Sequence, residues 1–129
     1  MVTTAGAPIL LAGCAGLQTI RAHVEDNKIT IAKADVRTLA KANAIVIVKT
    51  SPQTGSIILR NLPDVGIIAV SSVCSHRGCE VRPMPRSSRC PCHGSEYDEL
   101  GEVLEGPASR PLQRYEIEET SESLIIKVL

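Results

Sequence analysis

The chain has 129 residues, 14 basic and 14 acidic side chains, and a hydrophobic content of 43%. This length supports one domain with a single modest core, and the balanced charge argues against a general polyanion-binding surface. Aromatic residues make up 2% of the chain, with no Trp and no Phe. The core must therefore be aliphatic, and a nucleic-acid platform of stacked rings is not expected. No apolar run approaches the roughly 20 residues of a membrane span.

The first residues of the chain are small, apolar and uncharged, as at the end of an export leader. The run Leu11-Ala12-Gly13-Cys14 resembles a bacterial lipobox, in which the cysteine is lipidated and becomes the mature N-terminus. A leader also needs a positively charged start, which is missing here. Two interpretations stay open for residues 1–17: a leader remnant with Cys14 as a lipidation site, or a flexible N-terminus in which Cys14 is one more small residue.

From residue 18 onward, short β-rich segments recur about every ten residues. The predicted strands are Thr19–Val24, Ile29–Ile31, Ala44–Lys49, Ser56–Arg60, Gly66–Ser72, Leu112–Glu118 and Leu124–Leu129. The turn residues Asp26-Asn27-Lys28 indicate that the first two strands form a hairpin, and Asp35–Ala44 is expected to add one or two helical turns. This pattern predicts an all-β fold, a sandwich or barrel of antiparallel strands.

The middle of the chain departs from this pattern. Residues 73–111 hold five of the eight prolines and four of the five cysteines. This composition predicts loops held by something other than a hydrophobic core. Charge is uneven here too: residues 74–95 carry four bases and one acid, whereas residues 96–122 carry nine acids and two bases.

Two short boxes in this segment carry the chemistry. The first, Cys74 to Cys79, has the sequence C-S-H-R-G-C, and the second, Cys90 to Ser95, has the sequence C-P-C-H-G-S. A zinc site of four ligands would leave two cysteines unexplained, and two disulfides would leave the histidines idle. A cysteine nucleophile would need only one thiol. A mixed [2Fe-2S] centre takes two cysteines and two histidines and leaves one pair of cysteines over.

The two boxes resemble those of the Rieske iron–sulfur proteins. The likeness extends to Glu96-Tyr97 and to Gly106-Pro107-Ala108, which is similar to the proline loop of that family. The resemblance implies one [2Fe-2S] cluster, which would be neutral when oxidised and therefore easier to reduce than a four-cysteine cluster. The implied ligands are Cys74 and Cys90 on the inner iron and His76 and His93 on the outer iron.

The resemblance also implies roles for residues around the cluster. A Cys79–Cys92 disulfide between the boxes is typical of cytochrome bc-type members and is generally absent from Rieske ferredoxins and aromatic-ring oxygenases. Such a disulfide indicates an oxidising compartment in a mesophile, or the cytoplasm of a hyperthermophile. Ser95 and Tyr97 match hydroxyl groups that donate to a bridging sulfide and to the Cys74 thiolate, and these bonds would stabilise the reduced cluster.

The family fold implied by the resemblance is an all-β base of antiparallel strands with a small inserted cluster-binding subdomain. Residues 18–129 are then a single Rieske domain. Its base comprises residues 18–73 and 112–129, and its subdomain comprises residues 74–111.

The function implied is one-electron transfer at high potential, as the soluble part of a quinol-oxidising bc-type complex or as a periplasmic carrier. The partner is then a redox protein or a membrane quinol-oxidising complex, in the periplasm or at the outer face of the cytoplasmic membrane. The alternatives are the Rieske subunit of a molybdenum oxidoreductase such as arsenite oxidase, the ferredoxin component of an oxygenase, and a zinc-stabilised binding module. No substrate chemistry of the chain's own is evident, so its status as an enzyme is left open.

One residue of the first box departs from the family pattern. Arg77 stands where bc-type members usually carry Leu, next to a predicted ligand. Two interpretations stay open for Arg77 with Arg82, Arg86 and Arg89: a basic rim where an acidic redox partner docks, or outward-pointing charges that only keep the loops in solution.

Overall fold

The structure, a computed structural model, describes residues 17–51, 54–76 and 78–128. The regular secondary structure of this part of the chain is almost entirely β, which confirms the predicted all-β class. The strands are β1 Leu17–Arg21, β2 Lys28–Ala32, β3 Ile45–Lys49, β4 Ser56–Leu62, β5 Gly66–Ser71, β6 Arg82–Pro83, β7 Ser87–Arg89, β8 Glu96–Asp98, β9 Val103–Glu105, β10 Arg114–Glu119 and β11 Ser123–Lys127. The expected helical turns form a 3-10 helix over Lys33–Ala40, interrupted at Val36.

Seven strands form a large sheet in the order β1-β3-β4-β5-β10-β11-β2. The predicted first hairpin is wrong, because β1 pairs in parallel with β3 and β2 pairs with β11. Glu25 and Lys28 do close a tight turn by two backbone hydrogen bonds of 2.9 and 3.0 Å. That turn carries the chain from one end of the strand order to the other. The large sheet must therefore curl so that its two ends approach each other.

A first aliphatic core fills the inside of this curl. It combines side chains from both ends of the strand order: Ile29, Ile31, Val36, Leu39, Val46, Val48, Ile57, Leu59, Ala69, Leu124 and Ile126. Within each strand these residues alternate with outward-facing ones, as the two-residue period of a strand requires. In the part of the chain that is described, no helix has the length and apolar character needed to cross a membrane.

The central strands of the large sheet are buried on both faces. In β4, Ile57 and Leu59 face the first core, whereas Ile58 and Leu62 face a second core on the opposite side. Burial on both faces explains why these strands have nearly continuous apolar sequences, as fully covered strands do. The second core therefore packs between the large sheet and the part of the chain that covers its second face.

A small antiparallel sheet, in the order β6-β7-β8-β9, covers this second face. Its strands lie in the segment that was expected to form loops without a hydrophobic core, and this expectation is wrong. Val81, Tyr97 and Leu112 are buried, and they pack with β4 and β5 side chains in the second core. The strands escape sequence detection because each has only two or three residues. A period of two cannot be recognised over so short a run.

Candidate metal centre

Two similar loops connect the sheets and carry both sequence boxes. We call residues 74–79 the first arm and residues 90–95 the second arm. The first arm follows β5, and the second arm directly follows β7. Each arm is closed by the same pair of backbone hydrogen bonds. These are Cys74 N to Cys79 O (2.7 Å), Gly78 N to Cys74 O (2.9 Å), Cys90 N to Ser95 O (2.8 Å) and Gly94 N to Cys90 O (2.9 Å).

A glycine in each arm makes this closure feasible. Gly78 and Gly94 both have φ of 83°, in the left-handed region where a side chain is strained. Each glycine lies four residues after the first cysteine of its arm. The shared Cys-to-Gly spacing of the two boxes is therefore a requirement of the backbone as well as of the ligands.

The predicted disulfide is present and links the two arms. Cys79 and Cys92 are bonded, with their Cα atoms 6.4 Å apart and a separation of 13 residues along the chain. The sulfurs of Cys79, Cys90 and Cys92 all lie within 4.8 Å of one another. Two of these sulfurs are consumed by the disulfide and offer no thiolate. This trio is therefore not a metal site by itself, and Cys90 is its one potential ligand.

The four predicted ligands separate into an inner and an outer pair. Cys74 and Cys90 are 2% and 1% exposed and belong to the second core. His76 is half-buried and His93 is exposed, with ring centroids 5.1 Å apart and ring planes at 86°. The arms thus place two thiols on the protein side and two imidazoles on the solvent side. This polarity is the one expected if a cluster were held between the arms.

A buried tyrosine hydroxyl contacts one of the inner thiols. Tyr97 is fully buried, and its Oη lies 3.1 Å from Cys74 Sγ. Ser75 N–H donates to the same Oη at 3.2 Å, and Ser75 Oγ lies 3.2 Å away. Burial, and next the hydrogen bond with Cys74, raise the pKa of Tyr97 above its usual value. The phenol therefore keeps a proton that it can donate.

Counting hydroxyl protons indicates where that proton points. Ser75 Oγ donates its single proton to the carbonyl oxygen of Arg110, at 2.5 Å, because a carbonyl can only accept. Ser75 Oγ then has no proton left for Tyr97, so the Tyr97 hydroxyl accepts from Ser75 N–H and directs its own proton to Cys74 Sγ or to Ser75 Oγ. A Cys74 thiolate would be the strongest acceptor within its reach. Arg110 Nη2 returns a hydrogen bond to Ser75 O at 3.2 Å.

A second buried hydroxyl accepts a hydrogen bond but has no acceptor for its own proton among the described residues. Ser95 is fully buried, and its Oγ accepts a hydrogen bond from Ala108 N at 3.0 Å. Among the described residues, none accepts the proton of Ser95 itself. A buried donor without an acceptor is costly, and a sulfide held between the arms would satisfy it. Two inner thiols, two outer imidazoles and this donor together fit a mixed [2Fe-2S] cluster.

Sequence reasoning missed Ser75 and Arg110 as parts of this network. Ser75 lies inside the first box, so its position was visible but its hydrogen bonds were not. Arg110 gave no signal, because Ser75 of the first arm bonds to its backbone carbonyl and to one side-chain nitrogen.

Other residues predicted for the site have different outcomes. Cys14 and Arg77 lie outside the described residues. Arg82 and Arg89 face each other across β6 and β7, and Arg86 forms a salt bridge of 3.0 Å with Glu99. The expected basic rim is therefore interrupted by an acidic side chain at Arg86.

Comparison with known proteins gives one family match. A family model described as the Rieske [2Fe-2S] domain matches residues 22–116. The cytochrome b6-f complex iron-sulfur subunit of Chlorobaculum thiosulfatiphilum is 40% identical over 62 residues, which is 46% of this chain and 34% of that protein. The subunit of the same name from Prochlorococcus marinus (strain MIT 9515) is 32% identical over 73 residues, or 55% and 41% of the two chains. The chain spans less than half the length of these relatives.

Solved structures resemble the fold. The cyanobacterial plasma membrane Rieske protein PetC3 from Synechocystis PCC 6803 aligns with a TM-score of 0.57 and 28% identity, covering 74% of this chain and 91% of that one. The apo form of the quaternary ammonium Rieske monooxygenase CntA aligns with a TM-score of 0.64 over 83% of this chain and 34% of that one. Its identity is only 20%, so that likeness concerns the fold alone.

Proposed function

The chain belongs to the Rieske [2Fe-2S] domain family, and from this membership we propose that it carries single electrons for a quinol-oxidising complex of the cytochrome bc type. Binding of one [2Fe-2S] cluster and electron transfer are properties of the family. The complex it serves is the proposal.

The observation that carries this proposal is the Cys79–Cys92 disulfide between the arms. Within the family, this bond is typical of bc-type members, whereas ferredoxins and aromatic-ring oxygenases generally lack it. The similarity to proteins named cytochrome b6-f complex iron-sulfur subunits supports the same branch. A disulfide also fits a protein of an oxidising compartment, so we place the chain in the periplasm or at the outer face of the cytoplasmic membrane.

The roles of the site residues follow from their positions. When bound, the cluster supplies a centre that takes up and releases one electron. Cys74 and Cys90 would hold its inner iron in the dry second core, and His76 and His93 would hold its outer iron at the surface. The exposed imidazole of His93 then gives a redox partner the shortest approach. Residues 74–111 form the proposed cluster-binding subdomain on the base.

Two hydroxyl groups would tune this centre. Tyr97 donates toward the Cys74 sulfur, and Ser95 has a proton for a bridging sulfide. Both bonds strengthen as negative charge accumulates, so both stabilise the reduced state. Such donors favour a high reduction potential, as a bc-type carrier needs in order to accept electrons from quinol.

Cluster analysis and protein-film voltammetry test the proposal. We expect two irons and two acid-labile sulfides per chain, and a potential in the upper part of the range of about −150 to +300 mV of Rieske centres. A potential at the bottom of that range would overturn the bc-type assignment in favour of a ferredoxin. Zinc without labile sulfide would overturn the cluster itself. Copurification of molybdenum with the native protein would instead support a molybdenum oxidoreductase subunit.

A further inference from the structure

A buried arginine lies on the face of β4 whose Ile58 and Leu62 side chains pack into the second core. Ile58, Arg60 and Leu62 are two residues apart and therefore point to the same side of the strand, toward the second core. Arg60 is only 1% exposed. Burial lowers the pKa of Arg60, an effect that Glu99 partly opposes. A charge in such a place requires strong compensation from its neighbours.

All of the side-chain hydrogen bonds of Arg60 within the described chain go to one hairpin of the small sheet. The guanidinium donates to four acceptors in the β6–β7 turn and in the first residues of β7: Met84 O (2.9 Å), Pro85 O (3.2 Å), Ser87 O (2.6 Å) and Ser88 Oγ (3.4 Å). Across the described ranges, no carboxylate forms an ion pair with Arg60, and its Nε has no partner. The rigid fork of a guanidinium can span three carbonyls of one turn, which the single ammonium group of a lysine cannot.

The turn that Arg60 holds leads directly into the second arm. Ser88 precedes Cys90 by two residues, or about 7 Å along an extended strand. The first arm starts from β5, which pairs with the strand that contains Arg60. Arg60 therefore connects the strand beside the first arm to the hairpin that presents the second arm.

We propose that Arg60 is a positioning residue of the metal centre: it fixes the second arm relative to the first, and its buried charge favours an electron on the cluster. This inference rests on the proposed function, because it assumes that both arms hold one cluster. Within the described part of the chain, Arg60 donates no hydrogen bond to a predicted ligand. It acts through the β6–β7 turn and through its charge.

Three variants test the inference. Arg60→Gln removes the charge and the fork, and Arg60→Lys keeps the charge but loses the fork. Arg86→Gln is the matched control, since Arg86 lies in the same turn with its side chain 80% exposed. The measurements are amide hydrogen exchange over residues 84–90 with and without cluster, the electron paramagnetic resonance spectrum of the reduced cluster, and the reduction potential.

We expect exchange over residues 84–90 to accelerate at least tenfold in both Arg60 variants, and the resonance spectrum to shift. Arg60→Gln should also bind the electron about tenfold less tightly, which corresponds to a potential lower by about 59 mV. The control should match the parent. The inference is wrong if Arg60→Gln behaves like Arg86→Gln. It is equally wrong if both Arg60 variants unfold, because Arg60 would then support the whole fold. A parent protein that binds no cluster would instead refute the proposed function.

Discussion

The Tyr97 hydroxyl is a single group whose removal should change the redox chemistry and also leave Ser75 N–H without its acceptor. We expect Tyr97→Phe to lower the reduction potential by about 60 mV, because one hydrogen bond to a charged acceptor is worth roughly 1.4 kcal/mol or more. Ser95→Ala should act in the same direction. Tyr115→Phe is the control, since Tyr115 is a half-buried tyrosine that packs against the first core. Voltammetry that finds the same potential in all three variants would show that these hydroxyls do not contact the cluster.

The ligand assignment makes a separate prediction at the same scale. Replacement of Cys74, His76, Cys90 or His93 by Ala should abolish cluster binding, because each iron loses one of its four ligands. His23→Ala should keep full iron content, since His23 is exposed and precedes β2, outside both arms. Iron and acid-labile sulfide per chain are the measurements. Full occupancy in any of the four ligand variants would remove that residue from the set.

The parts of the site that the sequence predicted are those in which residue type determines chemistry. Thiols and imidazoles at fixed spacings identify a metal centre, and the position of Tyr97 follows from resemblance to a family. Ser75 and Arg60 could not be predicted in their roles, because both act through backbone carbonyls. A carbonyl is present at every residue and leaves no mark in the sequence.

At the scale of elements, the sequence predicts strands better than their partners. Alternation identified most strands of the large sheet, since a period of two marks a half-buried strand wherever it pairs. The Glu25–Lys28 turn has the residues of a hairpin turn and its hydrogen bonds, yet the strands on either side pair elsewhere. Local residues specify the turn, whereas the partner of β1 is selected by packing across the curled sheet.

The disulfide is a connection between elements, and its removal should weaken both the fold and the retention of the cluster. The double variant Cys79→Ser with Cys92→Ser should lose about 3 kcal/mol of unfolding free energy, the loop-entropy value for a loop of this size. Its cluster should also be released faster to an iron chelator, because the two arms are no longer tied together. Urea unfolding and chelation kinetics measure the two effects. Parent-like stability would show that the bond adds nothing to the fold.

The turn between β8 and β9 gives a prediction of stability with an internal control. Gly101 has φ of 90°, and a Cβ there would lie 3.3 Å from Leu112 Cβ and 3.4 Å from Val70 Cγ1. Gly66 has φ of 101° but has nothing within 4 Å of such a Cβ. Gly66→Ala should therefore cost about 1–2 kcal/mol of backbone strain. Gly101→Ala should cost about 1–3 kcal/mol more, because it also overpacks the second core. Equal losses in urea unfolding would contradict this.

At the scale of the whole molecule, the core that stabilises the large sheet is distinct from the core that contains the predicted ligands. The first core draws, as far as the described chain shows, on no side chain of either arm, whereas Cys74 and Cys90 belong to the second core. The large sheet can therefore keep its packing while the arms change. The predicted boundaries of base and subdomain, residues 18–73 with 112–129 and residues 74–111, remain a proposal that this separation supports.

Removal of the cluster should accordingly loosen one side of the molecule and leave the other intact. We expect hydrogen exchange in the two arms and in the β6–β7 hairpin to accelerate at least tenfold, or about 1.4 kcal/mol of local stability, because a ligand stabilises only the state that binds it. Exchange in β2 and β11 should stay unchanged, since their buried residues Ile29, Ile31, Leu124 and Ile126 lie in the first core. The disulfide should keep the loosened arms close enough for the cluster to be rebuilt. Exchange mass spectrometry on holo and cluster-free protein measures all of this, and a uniform loss of protection would mean that the two cores unfold as one unit.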